Sequence, residues 1–129
     1  MAKAKNKGPS QRQLKVGEQM RHVVAQALMR GEVHDPRVGS ANLTVAEVRV
    51  SPDLRNATLY VSELGRDTLS AEVQAGLNSA GAFLGGQLAR ELNLKYAPRL
   101  RFEPDVTFQE VAKVERLLDE GLGRERREP

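Results

Sequence analysis

Apolar positions along this chain recur with two different periods, and the switches between them outline the fold. Val16, Met20, Val23, Val24, Ala27 and Leu28 repeat at helical spacing. They predict a first helix from about Gln11 to Arg30, with Ser10 as its N-cap. His34-Asp35-Pro36-Arg37 then predicts a turn. A strand is expected from roughly Ala41 to Val50, ending at Ser51-Pro52-Asp53, because proline removes a ladder donor and aspartate suits a turn. The next strand, Ala57 to Ser62, alternates with period two. Ala57, Leu59 and Val61 share one face; Thr58, Tyr60 and Ser62 share the other. The two strands form an antiparallel hairpin.

From Ser70 to about Leu92 the helical period returns through Val73, Leu77, Ala80, Leu84, Leu88 and Leu92. Gly81, Gly85 and Gly86 interrupt it, and each interior glycine costs about 1 kcal/mol relative to alanine. Three so close together predict a break or a close backbone approach, hence two short helices meeting at a kink near Gly81. Tyr96-Ala97-Pro98-Arg99 leads into a third strand, Leu100 to Val106, whose Pro104 suits an edge or a strand end. A last helix is expected from Thr107, with Val111, Val114, Leu117 and Leu118 as its apolar stripe. Residues 1–11 and the tail 121–129 hold almost nothing to bury and are expected to be disordered. The reading is one α+β domain over 12–120, in the order α-β-β-α-kink-α-β, with a three-stranded sheet and an added C-terminal helix.

Composition narrows the possibilities. Apolar residues make up 40% of 129, enough for one core. With no cysteine, disulfides, thiolate zinc sites and thiol nucleophiles are all excluded. No apolar run follows the basic N-terminus that could serve as a signal peptide or span a membrane, so a cytoplasmic protein is expected. The net charge of +3 is unevenly spread. Residues 1–21 carry six basic side chains against Glu18 alone, while the remainder carries fourteen against sixteen acidic ones. That asymmetry suggests a polyanionic partner, although a solubilising leader would look similar.

On the first helix, Arg12, Lys15, Gln19, His22, Gln26 and Arg30 follow steps of three and four and stack into one ridge. The ridge carries donors and no carboxylate, with Glu18 expected on another side. It suits a phosphate backbone; an ordinary solvated flank has the same composition.

The order α-β-β-α-α-β is that of a type II KH domain, and the detailed sequence resembles the ribosome-binding factor A family across roughly residues 12 to 120. The resemblance is carried by the first helix through Val23, Val24, Ala27 and Leu28, by Asp35-Pro36-Arg37-Val38, and by Val48-Arg49-Val50-Ser51-Pro52-Asp53-Leu54. Ala57-Thr58-Leu59-Tyr60-Val61-Ser62, Leu77-Asn78-Ser79-Ala80, Phe83-Leu84, Pro98-Arg99-Leu100-Arg101-Phe102 and Asp105 continue it. The resemblance implies a monomer without catalytic residues or cofactor that binds the free small ribosomal subunit and its rRNA. It also implies a role in late maturation and 5′-end processing of 16S rRNA, felt most in the cold. KH domains clamp a nucleic-acid backbone with a G-x-x-G loop, which this family replaces by an Ala-x-Gly kink. Here the matching stretch is Ala80-Gly81-Ala82, with the glycine one position early, and Gly85 stands where many relatives carry a basic residue. The candidate RNA-binding residues are therefore Arg12, Lys15, Gln19, His22 and Arg30 on the ridge. Ser79, Ala80, Gly81 and Ala82 join them at the kink, with the basic Arg90, Lys95 and Arg99.

Enzyme readings find little support. His22 and His34 fall on different elements with no metal-ligand spacing. Gly81-x-x-x-Gly85 lacks the lysine and hydroxyl residue of a phosphate-binding loop. Ser51 and Ser79 have no evident base, and Glu115, Asp119 and Glu120 read as a solvated helix face. A small carboxylate nuclease and a protein–protein adaptor docking through the C-terminal helix are the rival readings. Neither metal, cofactor, membrane nor small-molecule substrate is expected.

Overall fold

The computed structural model describes residues 8–105 and 117–118. Helix α1 spans Gln11–Met29. Ser10 caps it: its hydroxyl accepts from the Gln13 N–H, and the Gln13 side chain accepts in return from the Ser10 N–H. Ser10 and Gln11 thus belong to the folded part, which corrects the arm drawn over 1–11. At the other end Gly31 takes φ 69°, and the Glu32 N–H reaches back to the Ala27 carbonyl, closing the helix with a Schellman turn. The turn expected at His34–Arg37 contains a short helix, α2 (Pro36–Gly39), capped by Asp35 with proline at its first position.

Strands β1 (Leu43–Val50) and β2 (Asn56–Glu63) form the expected antiparallel hairpin. A register shift between Val45 and Glu47 absorbs one extra residue, so Val45, Val48 and Val50 all reach the core despite uneven spacing. Helix α3 then runs from Ala71 to Glu91, capped by Ser70, and β3 covers Arg99–Pro104. β3 pairs in parallel with β2, giving the order β1-β2-β3. A parallel partner requires a crossover, and α3 is that crossover. Pro104 closes an edge strand, as its missing N–H demands.

The expected kink is corrected: α3 is one helix without a break. Gly81 has no left-handed φ, and a side chain there would meet nothing within 4 Å. Close backbone approach occurs elsewhere. An ideal Cβ on Gly85 would lie 2.6 Å from the Pro98 carbonyl oxygen, and one on Gly17 would lie 2.5 Å from that of Val48. These two glycines let α3 and α1 press onto the chain beneath them.

Both long helices cover one face of the sheet, α1 over β1 and α3 over β3. Met20, Val24, Leu59, Val61, Leu77, Leu84 and Leu88 are wholly buried between them. Each such large side chain contributes roughly 1.5–3 kcal/mol by leaving water. The helical stripe read from sequence, Val73 through Leu88, is this inner face. The other sheet face carries Arg49, Tyr60, Arg101 and Glu103, with Arg49 paired to Glu47 and Arg101 to Glu103. Val111 and Val114 of the C-terminal apolar stripe, and the tail 121–129, lie outside the described residues. Leu117 and Leu118 are helical and exposed.

Candidate nucleic-acid interface

The ridge on α1 forms as its spacing requires: Arg12, Lys15, Gln19, His22, Gln26 and Arg30 are all exposed on that helix or at its C-cap. Its charge is less uniform than expected. Glu18 hydrogen-bonds Arg21 and lies 3.4 Å from His22 Nε2, so a carboxylate does touch the ridge. The bond from Arg21 holds the Glu18 carboxyl below its ordinary value. Arg30 sits 3.9 Å from Glu32. Only the N-terminal half is left uncommitted: Arg12 and Lys15 have no acidic partner among the described residues. Gln13 anchors this half, because its Nε2 donates to the Val50 carbonyl at 2.9 Å.

Ser79, Ala80, Gly81 and Ala82 occupy the middle of α3. Ala80 is buried, and Ser79 and Ala80 line a hollow with Val33, His34, Asp35 and Phe83. The cation nearest this stretch is already engaged. Arg37 grips Asp35 through Nε (3.0 Å) and Nη2 (2.7 Å), and Nη2 also donates to Ser79 Oγ at 3.2 Å. This side-chain bond, helped by the Arg37 N–H, lowers the Asp35 carboxyl to about 2.

Arg90 stands in the last turn of α3, Lys95 in the connection that follows and Arg99 at the start of β3. Asn93, in the left-handed region at φ 54°, reverses the chain after the helix, and the Leu94 N–H closes the turn on the Ala89 carbonyl. The turn between β1 and β2 lies beside it, joined by the Arg99 N–H to the Arg55 carbonyl at 2.8 Å. Here the structure adds two residues that the sequence reading passed over. Arg55 places its guanidinium 3.9 Å above the centroid of the Tyr96 ring. With Arg12 and Lys95 they line a cleft of about 350 Å³.

Two groups of candidate residues therefore stand apart, with Gln19, His22 and Arg30 along the rest of α1 and Arg90 in the last turn of α3 belonging to neither. Arg12 and Lys95 share the cleft, with Lys15 one turn along α1 and Arg99 at the start of β3. The Ser79–Ala82 group lies nine or more residues back from the end of α3 at Glu91, roughly 14 Å or more along the helix at 1.5 Å per residue. No sequence motif joins Arg55 to Tyr96. Their separation of 41 positions is closed only by packing of the two turns.

A three-stranded mixed sheet with helices on one face defines an α+β, KH-like domain, with Arg12, Lys15 and Lys95 at one end forming no ion pair among the described residues. The sequence model of ribosome-binding factor A matches residues 12–118, and the chain belongs to that family. It is 47% identical over 118 residues to ribosome-binding factor A of Rhodospirillum rubrum, covering 92% of this chain and 71% of that protein. The crystal structure of ribosome-binding factor A from Thermus thermophilus superposes with a TM-score of 0.59 at 28% identity, over 71% of this chain and 94% of that one. A Thermus thermophilus ribosome-binding factor A fitted into a cryo-EM map of a 30S complex gives 0.54 at 28%, over 67% and 88%.

Proposed function

We propose that this protein is a ribosome-binding factor that docks on the free small ribosomal subunit through the N-terminal half of α1 and the adjoining cleft. The observation that carries the proposal is the set of cations Arg12, Lys15 and Lys95 at one end of the domain, which form no ion pair among the described residues. Phosphate contacts made from such a scaffold lose less conformational entropy than those from a flexible arm. Family membership and the 30S complex of a relative support the same partner. Its role is to assist late maturation and 5′-end processing of 16S rRNA in the cytoplasm, without catalysis, as a monomer, and most visibly in the cold.

Co-sedimentation with purified small subunits, large subunits and whole ribosomes tests the docking. The protein should travel with free small subunits, and Arg12→Glu with Lys15→Glu should remove most of that binding. Both side chains are exposed, so stability should change by no more than about 0.5 kcal/mol. Equal adhesion to every ribosomal fraction would defeat the reading. Cells lacking the protein should accumulate small subunits with an untrimmed 5′ end, more at low temperature.

A further inference from the structure

The cleft at the α3–β3 connection carries more than charge. Arg12, Arg55 and Lys95 line it, and the one carboxylate present, Asp53, is committed to its own turn. Asp53 Oδ1 accepts the Ser51 hydroxyl at 2.6 Å and the Arg55 N–H at 3.1 Å. Tyr96 is 47% exposed, with the Arg55 plane resting on its ring. An aromatic ring and a guanidinium plane are the two surfaces on which unstacked bases settle.

The backbone on either side is fixed in unusual geometry. Leu54 (φ 61°) and Asn93 (φ 54°) are the only non-glycine residues with positive φ among the described residues, and both line this cleft. The Leu54 N–H donates to the Ser51 carbonyl, and the residue after Asn93, Leu94, donates its N–H to the Ala89 carbonyl. The platform is therefore built in advance of any ligand. Its volume lies at the small end of ligand clefts, which run from roughly 300 to 1,000 Å³. That suits one nucleotide; the bases of an A-form duplex stay stacked on each other and offer no free face.

We infer that this cleft receives one unpaired nucleotide of single-stranded RNA, its base stacked on the Tyr96–Arg55 pair and its flanking phosphates met by Arg12 and Lys95. The inference rests on the proposed function and specifies what that basic end recognises.

The chain has no tryptophan and two tyrosines, so a full-length Tyr60→Phe protein reports on Tyr96 by its own fluorescence. Titration with a short single-stranded oligoadenylate should quench that emission, and an RNA duplex of equal length should not. Tyr96→Ala should weaken oligoadenylate binding by about 5- to 150-fold and reduce small-subunit co-sedimentation, while Tyr96→Phe restores both. Lys15→Glu, outside the cleft, separates the two levels of the argument. If Lys15→Glu impairs subunit binding while Tyr96→Ala leaves both ligands bound as before, the stacking cleft is wrong and the docking face stands. Equal quenching by duplex, or equal competition by an acidic peptide, would likewise overturn the nucleotide assignment. If the unaltered protein does not sediment with small subunits, the proposed function fails and takes this inference with it.

Discussion

The middle of α3 and its C-terminal end lie about 15 Å apart on one helix, and each faces a loop that carries an arginine. Around Ser79, Arg37 is bound to Asp35 through one edge of its guanidinium, Nε and Nη2, and Nη2 also donates to the serine hydroxyl. Around Lys95, Arg55 rests on an aromatic ring, and Arg12, Lys95 and Arg99 form no ion pair among the described residues, the nearby Asp53 being bonded to Ser51 and the Arg55 N–H. The first arrangement holds α2 against the helix; the second leaves charge available to a ligand. Counting basic residues cannot separate them, because a cation already paired with the protein contributes little field to a partner.

The two places also differ in how tightly the helix is pressed. A Cβ on Gly85 meets the Pro98 carbonyl, whereas one on Gly81 meets nothing. Gly85→Ala should therefore force α3 away from the α3–β3 connection and destabilise the protein by about 1–3 kcal/mol, read as a lower midpoint in urea. It should also disturb the cleft, weakening small-subunit binding beyond what the loss of folded protein explains. An unchanged midpoint would mean that the connection yields easily and that the cleft is less rigid than its geometry indicates.

Next in size is the contrast between the two arginines. Arg12→Gln should weaken subunit binding and lower the slope of log affinity against log salt by about one, as for one lost phosphate contact. Arg37→Gln should leave that slope unchanged. Equal slopes for the two variants would erase the distinction between engaged and available charge.

Much of the fold was legible because burial follows period. The stripes on α1 and α3, the Ser10 cap and the alternation of β2 are local patterns, and their boundaries fall within a residue or two of the structure. Two local signals were present but unread. Asp35 followed by Pro36 is a helix start, and the spacing of three between Val45 and Val48 marks the bulge. The expected kink does not form, for a physical reason: glycine weakens a helix without ending it while every N–H keeps its acceptor. What glycine enabled here was close approach, at Gly85 rather than Gly81. The site was only half legible. Helical spacing gives the ridge, but the Arg55–Tyr96 pair is made by two turns meeting across the fold, and no sequence window contains both.

Gly81 offers a smaller and opposite effect to Gly85. Its backbone is helical and its Cβ position open, so Gly81→Ala should stabilise the protein by roughly 0.5–1 kcal/mol through lower chain entropy in the unfolded state. Subunit binding should persist, because the uncommitted cations lie elsewhere. A thermal melt and one sedimentation run decide it. Loss of binding in a stabilised variant would return the middle of α3 to the interface.

The smallest expected effect concerns the two aspartates that mark the two regions. Asp35 is held at about 2 chiefly by the Arg37 side chain, against an ordinary 3.8. Asp53 is also lowered, but chiefly by the Ser51 hydroxyl and then by the Arg55 N–H. A carboxyl lowered on folding stabilises the native state above its unfolded value and loses that contribution as pH falls through its folded value. The advantage of the unaltered protein over Asp35→Asn should thus be complete above about pH 4 and close as pH approaches about 2. Salt separates the two cases. Screening weakens an exposed ion pair more than a hydrogen bond from a neutral hydroxyl, so added salt should raise the Asp35 titration toward its ordinary value more than that of Asp53. NMR titration of the two carboxyl carbons reads both at once. Equal movement of the two would show that Arg37 is not the main hold on Asp35, and that its charge is as available as that of Arg12.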